Sequence, residues 1–149
     1  MPLGPEILIA NEQSLLLVDE ERLRDAMQRV FHQANFTDGE VSLAVLDNAA
    51  IHAVNREYLE HDYPTDVISF VFDAEAPTIN GEIVASAEYA VGEAQRYGWA
   101  AEDELLLYFV HGALHLVGYD DTTSDAAAKM RAAERDLLAQ LGLHPPGRD

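Results

Sequence analysis

The sequence contains no cysteine among its 149 residues. This absence excludes disulfide bonds, thiolate metal ligands and a cysteine nucleophile, so any bound metal ion must take nitrogen and oxygen ligands. Long apolar runs are missing too, since the run over residues 105–110 is far shorter than the roughly 20 residues of a membrane helix. The N-terminus lacks a basic segment followed by an apolar run, so we expect no signal peptide and a cytoplasmic protein.

Basic residues are scarce, with 9 Lys and Arg against 27 Asp and Glu, which gives a formal net charge of −18. Lys129 is the single lysine. A charge of this size favours solubility and repels polyanions at long range, which argues against broad, nonspecific binding of nucleic acid. It leaves room for a local basic groove, although most arginines fall in predicted helices, where solvated ion pairs are their usual role.

Length and apolar periodicity predict a single domain over residues 1–149, with a loose tail over 143–149. The predicted element order is β-α-β-α-β-β-α-α-α. Helical connections favour parallel strand pairs, whereas the short turn between the third and fourth strands favours an antiparallel pair. We therefore expect an α+β (mixed α/β) fold with a roughly four-stranded mixed sheet covered by helices.

Element boundaries follow from the apolar spacing and the turn residues. The strands are predicted over residues 6–11, 41–46, 67–72 and 81–86. The helices are predicted over residues 19–34, 48–59, 87–97, 101–117 and 123–141. Pro64 disfavours helix at the residue before it, so residues 62–66 are predicted as a loop, and residues 74–80 around Pro77 as a turn.

Two histidines, His111 and His115, stand four residues apart in an apolar predicted helix. Positions i and i+4 share a helix face, so both imidazoles can point at one atom. Gly118 can end the helix in the left-handed conformation, and the returning chain would bring Asp120 or Asp121 towards the rings. Two imidazoles and one carboxylate make a three-ligand metal site with an open position, on a central helix and the turn after it.

The same pattern also fits a structural interpretation. The histidines could simply be partly buried, and the aspartates could cap the helix that follows them. If a metal binds, one Zn²⁺ per chain suits this ligand set well, and Fe²⁺, Ni²⁺ or Mn²⁺ suits it too. Gly112 takes the place of the glutamate in the His-Glu-x-x-His pattern of metalloproteases, so proteolysis is disfavoured.

Three blocks of the sequence resemble the YbeY family of bacterial endoribonucleases. Residues 111–121, HGALHLVGYDD, are similar to the family's HGxLHLxGYDH. Residues 55–70, NREYLEHDYPTDVISF, are similar to NxxYRxxDxPTDVLSF, and residues 81–86, GEIVAS, resemble GDIxIS. The blocks occur in the family's order, and the resemblance covers residues 5–142 of the chain.

The resemblance implies a compact mixed sheet with helices and one bound metal ion, usually zinc. It implies a single-strand-preferring, metal-dependent endoribonuclease that acts in ribosomal RNA maturation, at the 3′ end of small-subunit RNA, and in ribosome quality control. It further implies that ribosomal RNA and the small ribosomal subunit are the targets, that ribosomal proteins and the GTPase Era are partners, and that no membrane is involved.

Three positions depart from the family pattern. Asp121 stands where the family has a third histidine, and as a competent ligand it is expected to give the site more oxygen character. Leu59 replaces an arginine, so a phosphate clamp is either missing or supplied by another residue such as Arg56. Glu82 replaces an aspartate and is a candidate general base, with a strand-edge carboxylate as the alternative.

The second block supplies further candidates for substrate binding. Thr65, Asp66 and Ser69 either line the cleft opposite the metal or order the loop through their own hydrogen bonds. Two other functions also fit the sequence: a non-catalytic ribosome-assembly factor with a structural metal site, and a hydrolase of another substrate. The acidic charge favours the first of these, because it suits docking to basic ribosomal proteins.

Overall fold

The computed structural model describes residues 4–59 and 66–146. Strands and helices follow one another along these residues in the predicted order. They are β1 (Glu6–Asn11), α1 (Glu20–Gln33), β2 (Asp38–Leu46), α2 (Asn48–Leu59), β3 (Val67–Glu75), β4 (Thr78–Ser86), α3 (Ala87–Tyr97), α4 (Ala101–Leu116) and α5 (Ser124–Gln140). Among the described residues, no helix has both the length and the apolar character that crossing a membrane requires.

The four strands form one mixed sheet in the order β1-β2-β4-β3. β2 lies between β1 and β4 and is parallel to both, while β3 and β4 are antiparallel. The parallel neighbours are joined by long connections, through α1 in one case and through α2 and β3 in the other, as parallel pairing requires. The predicted α+β fold with a four-stranded mixed sheet is confirmed.

The hairpin between β3 and β4 is longer than predicted. The sequence predicts a turn over residues 74–80, but β3 continues to Glu75 and β4 begins at Thr78. β3 lies at the edge of the sheet, and its second half is exposed on both sides, so its side chains carry no alternating signal. Backbone pairing with β4 makes these residues a strand, and side-chain pattern alone does not report that pairing.

The two faces of the sheet carry different helices. Leu43 and Ile83 are buried in the main core, which they share with α1 and α4. Val84, the next residue of β4, is buried on the opposite face with Ile51 of α2. Because successive side chains of a strand point to opposite faces, each residue of β4 can be assigned to the α4 layer or to the α2 layer.

Helix α4 is buried along residues 104–110 and ends at Leu116. Gly118 follows with φ 109°, a conformation that side chains other than glycine's rarely adopt. The backbone N–H of Tyr119 donates to the carbonyl of Leu114 at 3.0 Å, which closes the turn. This turn brings the segment after α4 back alongside the last helical turn, where His115 lies.

Candidate metal centre

The two predicted histidine ligands meet on one face of α4. The Nε2 atoms of His111 and His115 lie 3.2 Å apart, with the rings nearly perpendicular at 81°. Two nitrogen ligands, each about 2.0–2.1 Å from a tetrahedral zinc ion, stand about 3.3 Å from one another. The separation of the two Nε2 atoms therefore matches the spacing of two ligands on one metal ion.

The Nδ1 atom of each histidine has a hydrogen-bond acceptor. Nδ1–H of His111 donates to the Glu134 carboxylate at 2.6 Å, and Nδ1–H of His115 donates to the Tyr119 carbonyl at 3.1 Å. A proton on Nδ1 leaves the Nε2 lone pair available, and metal-binding histidines are usually oriented in this way. Both rings are thus held with Nε2 directed towards the same point.

Asp121 completes the predicted three-ligand set. Its Oδ2 lies 3.9 Å from Nε2 of His115, and the three potential ligand atoms all lie within 4.8 Å of one another. The Asp121 side chain is 54% exposed, so the site opens to solvent on this side. The Oδ1 atom of Asp120 instead accepts from N and Oγ1 of Thr122, which holds the turn.

The surroundings of His111 are negatively charged. Burial lowers its pKa, but the hydrogen bond to Glu134 and the charges of Glu134, Asp66 and Asp121 together outweigh burial. The pKa of His111 is therefore raised above its ordinary value of 6.5. A group of carboxylates that favours the protonated imidazole also favours a metal cation at the same place.

Two of the residues predicted for substrate binding lie next to this group. Ser69 in β3 donates from Oγ to the carbonyl of Gly112 at 3.2 Å, one residue after His111. Asp66 accepts from the backbone N–H of Val67 at 2.8 Å, and its charge reaches His111. Thr65, the third predicted residue, lies outside the described residues.

Gly112 allows α4 to lie directly against the sheet. A Cβ at this position would stand 2.6 Å from Cγ2 of Ile83 and 3.0 Å from Oγ of Ser69, both on neighbouring strands. The absence of a side chain therefore sets the distance between the helix and the sheet. Glycine at position 112, where metalloproteases have a glutamate, is therefore required for this close packing.

Glu82 and Arg56 are not brought to the histidines. Gly81 and Ile83 face α4, where they approach Leu116 and Gly112. Glu82 lies between them in β4 and lines a groove of about 370 Å³ on the α2 side, together with Val54 and Phe70. The Glu82 side chain therefore points to the face of the sheet away from the histidines, which disfavours its predicted role as general base at the metal.

Arg56, the suggested phosphate clamp, is exposed on α2. That helix packs on the face of the sheet away from α4. This position does not favour Arg56 as a clamp on a group held between the two histidines. A contact to a more distant part of a long substrate remains a prediction.

Glu134 is the residue at this centre that the sequence analysis missed. It follows His111 by 23 residues and belongs to α5, so no spacing rule connects the two. One signal was available: Glu134 lies four residues after the buried Met130 and three before the buried Leu137, on the apolar side of α5. A carboxylate in a buried stripe needs a partner, and here the partner is His111.

The fold and the centre together define a class: an α+β protein with a two-histidine, one-carboxylate group able to hold a metal ion at a solvent-open site. Residues 8–142 match the family model for Endoribonuclease YbeY. The chain belongs to that family, as the three sequence blocks indicate. The expected enzyme class, an endoribonuclease, is confirmed by this membership.

Curated relatives named Endoribonuclease YbeY cover most of the chain. The protein from Sulfurovum sp. (strain NBC37-1) is 38% identical over 147 residues, covering 92% of this chain and 92% of the relative. The Moorella thermoacetica protein is 38% identical over 154 residues, covering 93% and 98%. The Rhodopirellula baltica protein is 46% identical over 110 residues, which is 72% of this chain and 57% of that longer relative.

A solved structure supports the fold. The solution structure of TM1509 from Thermotoga maritima matches 96% of this chain and 99% of its own, with a TM-score of 0.63 and 22% sequence identity. At this identity the likeness bears on the fold, which it confirms.

Proposed function

We propose that this chain cleaves ribosomal RNA with the help of one divalent metal ion held by His111, His115 and Asp121. The observation that carries the proposal is the pair of Nε2 atoms 3.2 Å apart, each on a ring whose Nδ1 is already hydrogen-bonded. Two histidines with a purely structural role do not require their Nε2 atoms to point at the same place. A metal site does, because both lone pairs must point at one ion.

Zn²⁺ is the ion we propose first, one per chain. Two imidazoles match its preferences, and the 3.2 Å separation of their Nε2 atoms suits a tetrahedral site. The carboxylate of Asp121 adds a harder ligand, so Fe²⁺, Ni²⁺ and Mn²⁺ are alternative occupants. A bound ion would supply a Lewis acid that stabilises negative charge on a phosphodiester group.

The residues of the chain prepare the site for this chemistry. The acceptors Glu134 and the Tyr119 carbonyl fix the two rings. Ser69 ties β3 to α4 beside His111, and the exposed side of Asp121 gives a polymeric substrate access. Asp66 keeps the centre negative, which favours a divalent cation over an anion at that point.

The finer description of the substrate follows the family. We propose a preference for single strands, action at the 3′ end of small-subunit ribosomal RNA, and a part in ribosome quality control in the cytoplasm. Ribosomal proteins and the GTPase Era are the proposed protein partners. Thr65, Asp66 and Ser69 are proposed to contact the RNA near the metal, and Arg56 a phosphate further along the strand.

The proposal is tested by His115→Ala in parallel with His32→Ala. His32 is an exposed histidine on α1, so its removal controls for the loss of an imidazole elsewhere. We expect His115→Ala to lose both metal binding and cleavage of a single-stranded ribosomal RNA fragment, while His32→Ala keeps both. Cleavage by metal-free His115→Ala protein would overturn the proposal.

A non-catalytic assembly factor with a structural metal is the second candidate. The net charge of −18 favours it, because an acidic surface docks more readily on basic ribosomal proteins than on bare RNA. The nuclease and the assembly factor are distinguished by complementation in cells that lack the native chain. Rescue by a cleavage-dead variant that still binds assembling subunits would favour the assembly factor, and failure to rescue favours the nuclease.

A further inference from the structure

We propose that Glu134 is a positioning residue for the metal centre, acting through His111. Its carboxylate holds the imidazole in the one tautomer and orientation that direct Nε2 towards His115 and Asp121. This inference rests on the proposed metal-binding function and adds to it a residue from α5, a helix that contributes none of the three ligands.

The contact itself is short and sheltered. The Glu134 Oε2 atom lies 2.6 Å from Nδ1 of His111, and the two side chains are only 14% and 29% exposed. A charge-assisted hydrogen bond of this length, largely removed from water, is stronger than one at the surface. It is also shorter than the 3.1 Å bond from His115 to a backbone carbonyl, so His111 has the stronger acceptor.

Helix α5 is built to place this carboxylate against α4. Thr123 caps the helix by accepting from the N–H of Ala126, and Met130, Leu137 and Leu138 are buried. Glu134 lies between these apolar residues on the same side of the helix. Docking of α5 through Met130 and Leu137 therefore carries Glu134 to His111.

A simpler role for Glu134, an ion pair on the surface of α5, does not fit its placement. Arg131 and Arg135, the cations nearest in sequence, are exposed, whereas the Glu134 side chain is largely buried. Its ion pair is with His111 on another helix. The carboxylate therefore belongs to the metal centre.

The test compares two variants of Glu134 with a control on the same helix. Glu134→Ala removes the acceptor, and Glu134→Gln keeps an acceptor oxygen but removes the charge. Asp136→Asn removes one negative charge from an exposed position two residues away, which controls for long-range electrostatics. Zn²⁺ affinity is measured without RNA by competition with a chromogenic chelator, and thermal unfolding of the metal-free proteins checks that each folds.

We expect Glu134→Ala to weaken Zn²⁺ binding by about 10–100-fold, the usual range for such partners of a metal-binding histidine. Glu134→Gln should lose less, and Asp136→Asn should bind as the native chain does. In ¹⁵N-labelled, zinc-loaded protein, the Nδ1–H signal of His111 should be protected from exchange in the native chain and lost in Glu134→Ala. A loss of Zn²⁺ affinity through general destabilisation would instead appear as a lower unfolding temperature of the metal-free Glu134→Ala protein.

The failure of this inference differs from a failure of the proposed function. Native Zn²⁺ affinity and a protected Nδ1–H signal in folded Glu134→Ala would overturn the positioning role and leave the metal site standing. Equal Zn²⁺ affinity in native protein and in His115→Ala would overturn the metal site itself, and the positioning role with it.

Discussion

His111 is surrounded by acidic side chains, and this has consequences for its protonation. In the metal-free protein, Glu134, Asp66 and Asp121 outweigh the effect of burial, so the pKa of the imidazole lies above its ordinary value of 6.5. A histidine must be neutral at Nε2 to bind a metal. Proton and metal ion therefore compete for the same nitrogen.

We predict that metal affinity falls as pH is lowered through the raised pKa of His111. Below that pKa, each bound ion must displace one proton from His111, which weakens binding by up to about tenfold per pH unit. Calorimetric titration with Zn²⁺, in two buffers of different ionisation enthalpy, measures both the affinity and the released proton. Affinity that is constant from acidic to neutral pH would contradict this competition.

The same raised pKa affects the stability of the metal-free fold, with the opposite sign. The folded state holds the His111 proton more tightly than the unfolded chain does, and this difference adds to the free energy of unfolding. The added stability is fully present below the pKa of the unfolded chain. It is lost as pH rises through the pKa of folded His111.

Asp121 offers a second test of the proposed metal centre. Replacing it by histidine gives a third imidazole, which favours Zn²⁺, whereas the native carboxylate suits harder ions such as Mn²⁺. We predict that Asp121→His raises the ratio of Zn²⁺ affinity to Mn²⁺ affinity. Competition titrations with both ions give the ratio directly. An unchanged ratio would mean that Asp121 does not bind the ion.

The sequence was sufficient to find residues close together in the chain. His111 and His115 share a helix face, and Asp121 follows after a single turn, so local geometry predicts that they meet. Glu134 comes from another helix, and only the packing of α5 on α4 brings it near. The placement of Glu82 was not predicted for a related reason: its resemblance to a family motif does not say which face of β4 it occupies.

At the scale of elements, α4 depends on close contact with the sheet. Gly112 lies against Ile83 and Ser69, and this contact sets where the histidine-bearing turn sits relative to β3. By contrast, Gly92 on α3 has open space where a Cβ would be added. These two helical glycines therefore make a matched pair.

We predict opposite effects for Gly112→Ala and Gly92→Ala. Overpacking against Ile83 should destabilise the Gly112→Ala protein by about 1–3 kcal/mol, even though alanine favours helix. Gly92→Ala gains helix propensity without a clash and should stabilise the fold by about 0.5–1 kcal/mol. Urea unfolding of the metal-free proteins measures both. Equal stabilisation by the two substitutions would show that α4 does not need the close approach.

Element order was predictable from the apolar periods, and connection length correctly favoured the parallel β1–β2 pair across α1 and the antiparallel β3–β4 pair across the short turn. The parallel pairing of β2 with β4 was not predictable in this way, because α2 joins β2 to β3, and β3 is antiparallel to β4. The end of β3 was not predictable. Asp73 and Glu75 are exposed on an edge strand, and pairing with β4 places them in the sheet without any apolar signal.

At the scale of the whole molecule, the net charge of −18 sets how RNA can be held. A basic nuclease gains affinity by releasing counterions at many phosphates, and this affinity is lost steeply as salt rises. An acidic chain has few such contacts available. If the proposed function holds, RNA affinity comes from the metal centre and from contacts with only a few cationic side chains.

We predict a shallow salt dependence for RNA binding. Each phosphate contact to a single strand contributes a slope of about −0.7 in log K against log salt, so one or two contacts give a slope no steeper than about −1.5. Fluorescence anisotropy with a labelled single-stranded RNA, across a KCl series, measures the slope. A slope several times steeper would contradict this prediction and would indicate a basic groove that contacts many phosphates.

Metal content per chain, measured by elemental mass spectrometry on untagged native protein and on His115→Ala, tests the proposed metal centre. We predict close to one Zn, Fe, Ni or Mn per native chain and little in His115→Ala, and we expect RNA cleavage only in protein that holds the metal. Equal metal content in both proteins, or none in native protein even after incubation with each ion, would contradict this prediction.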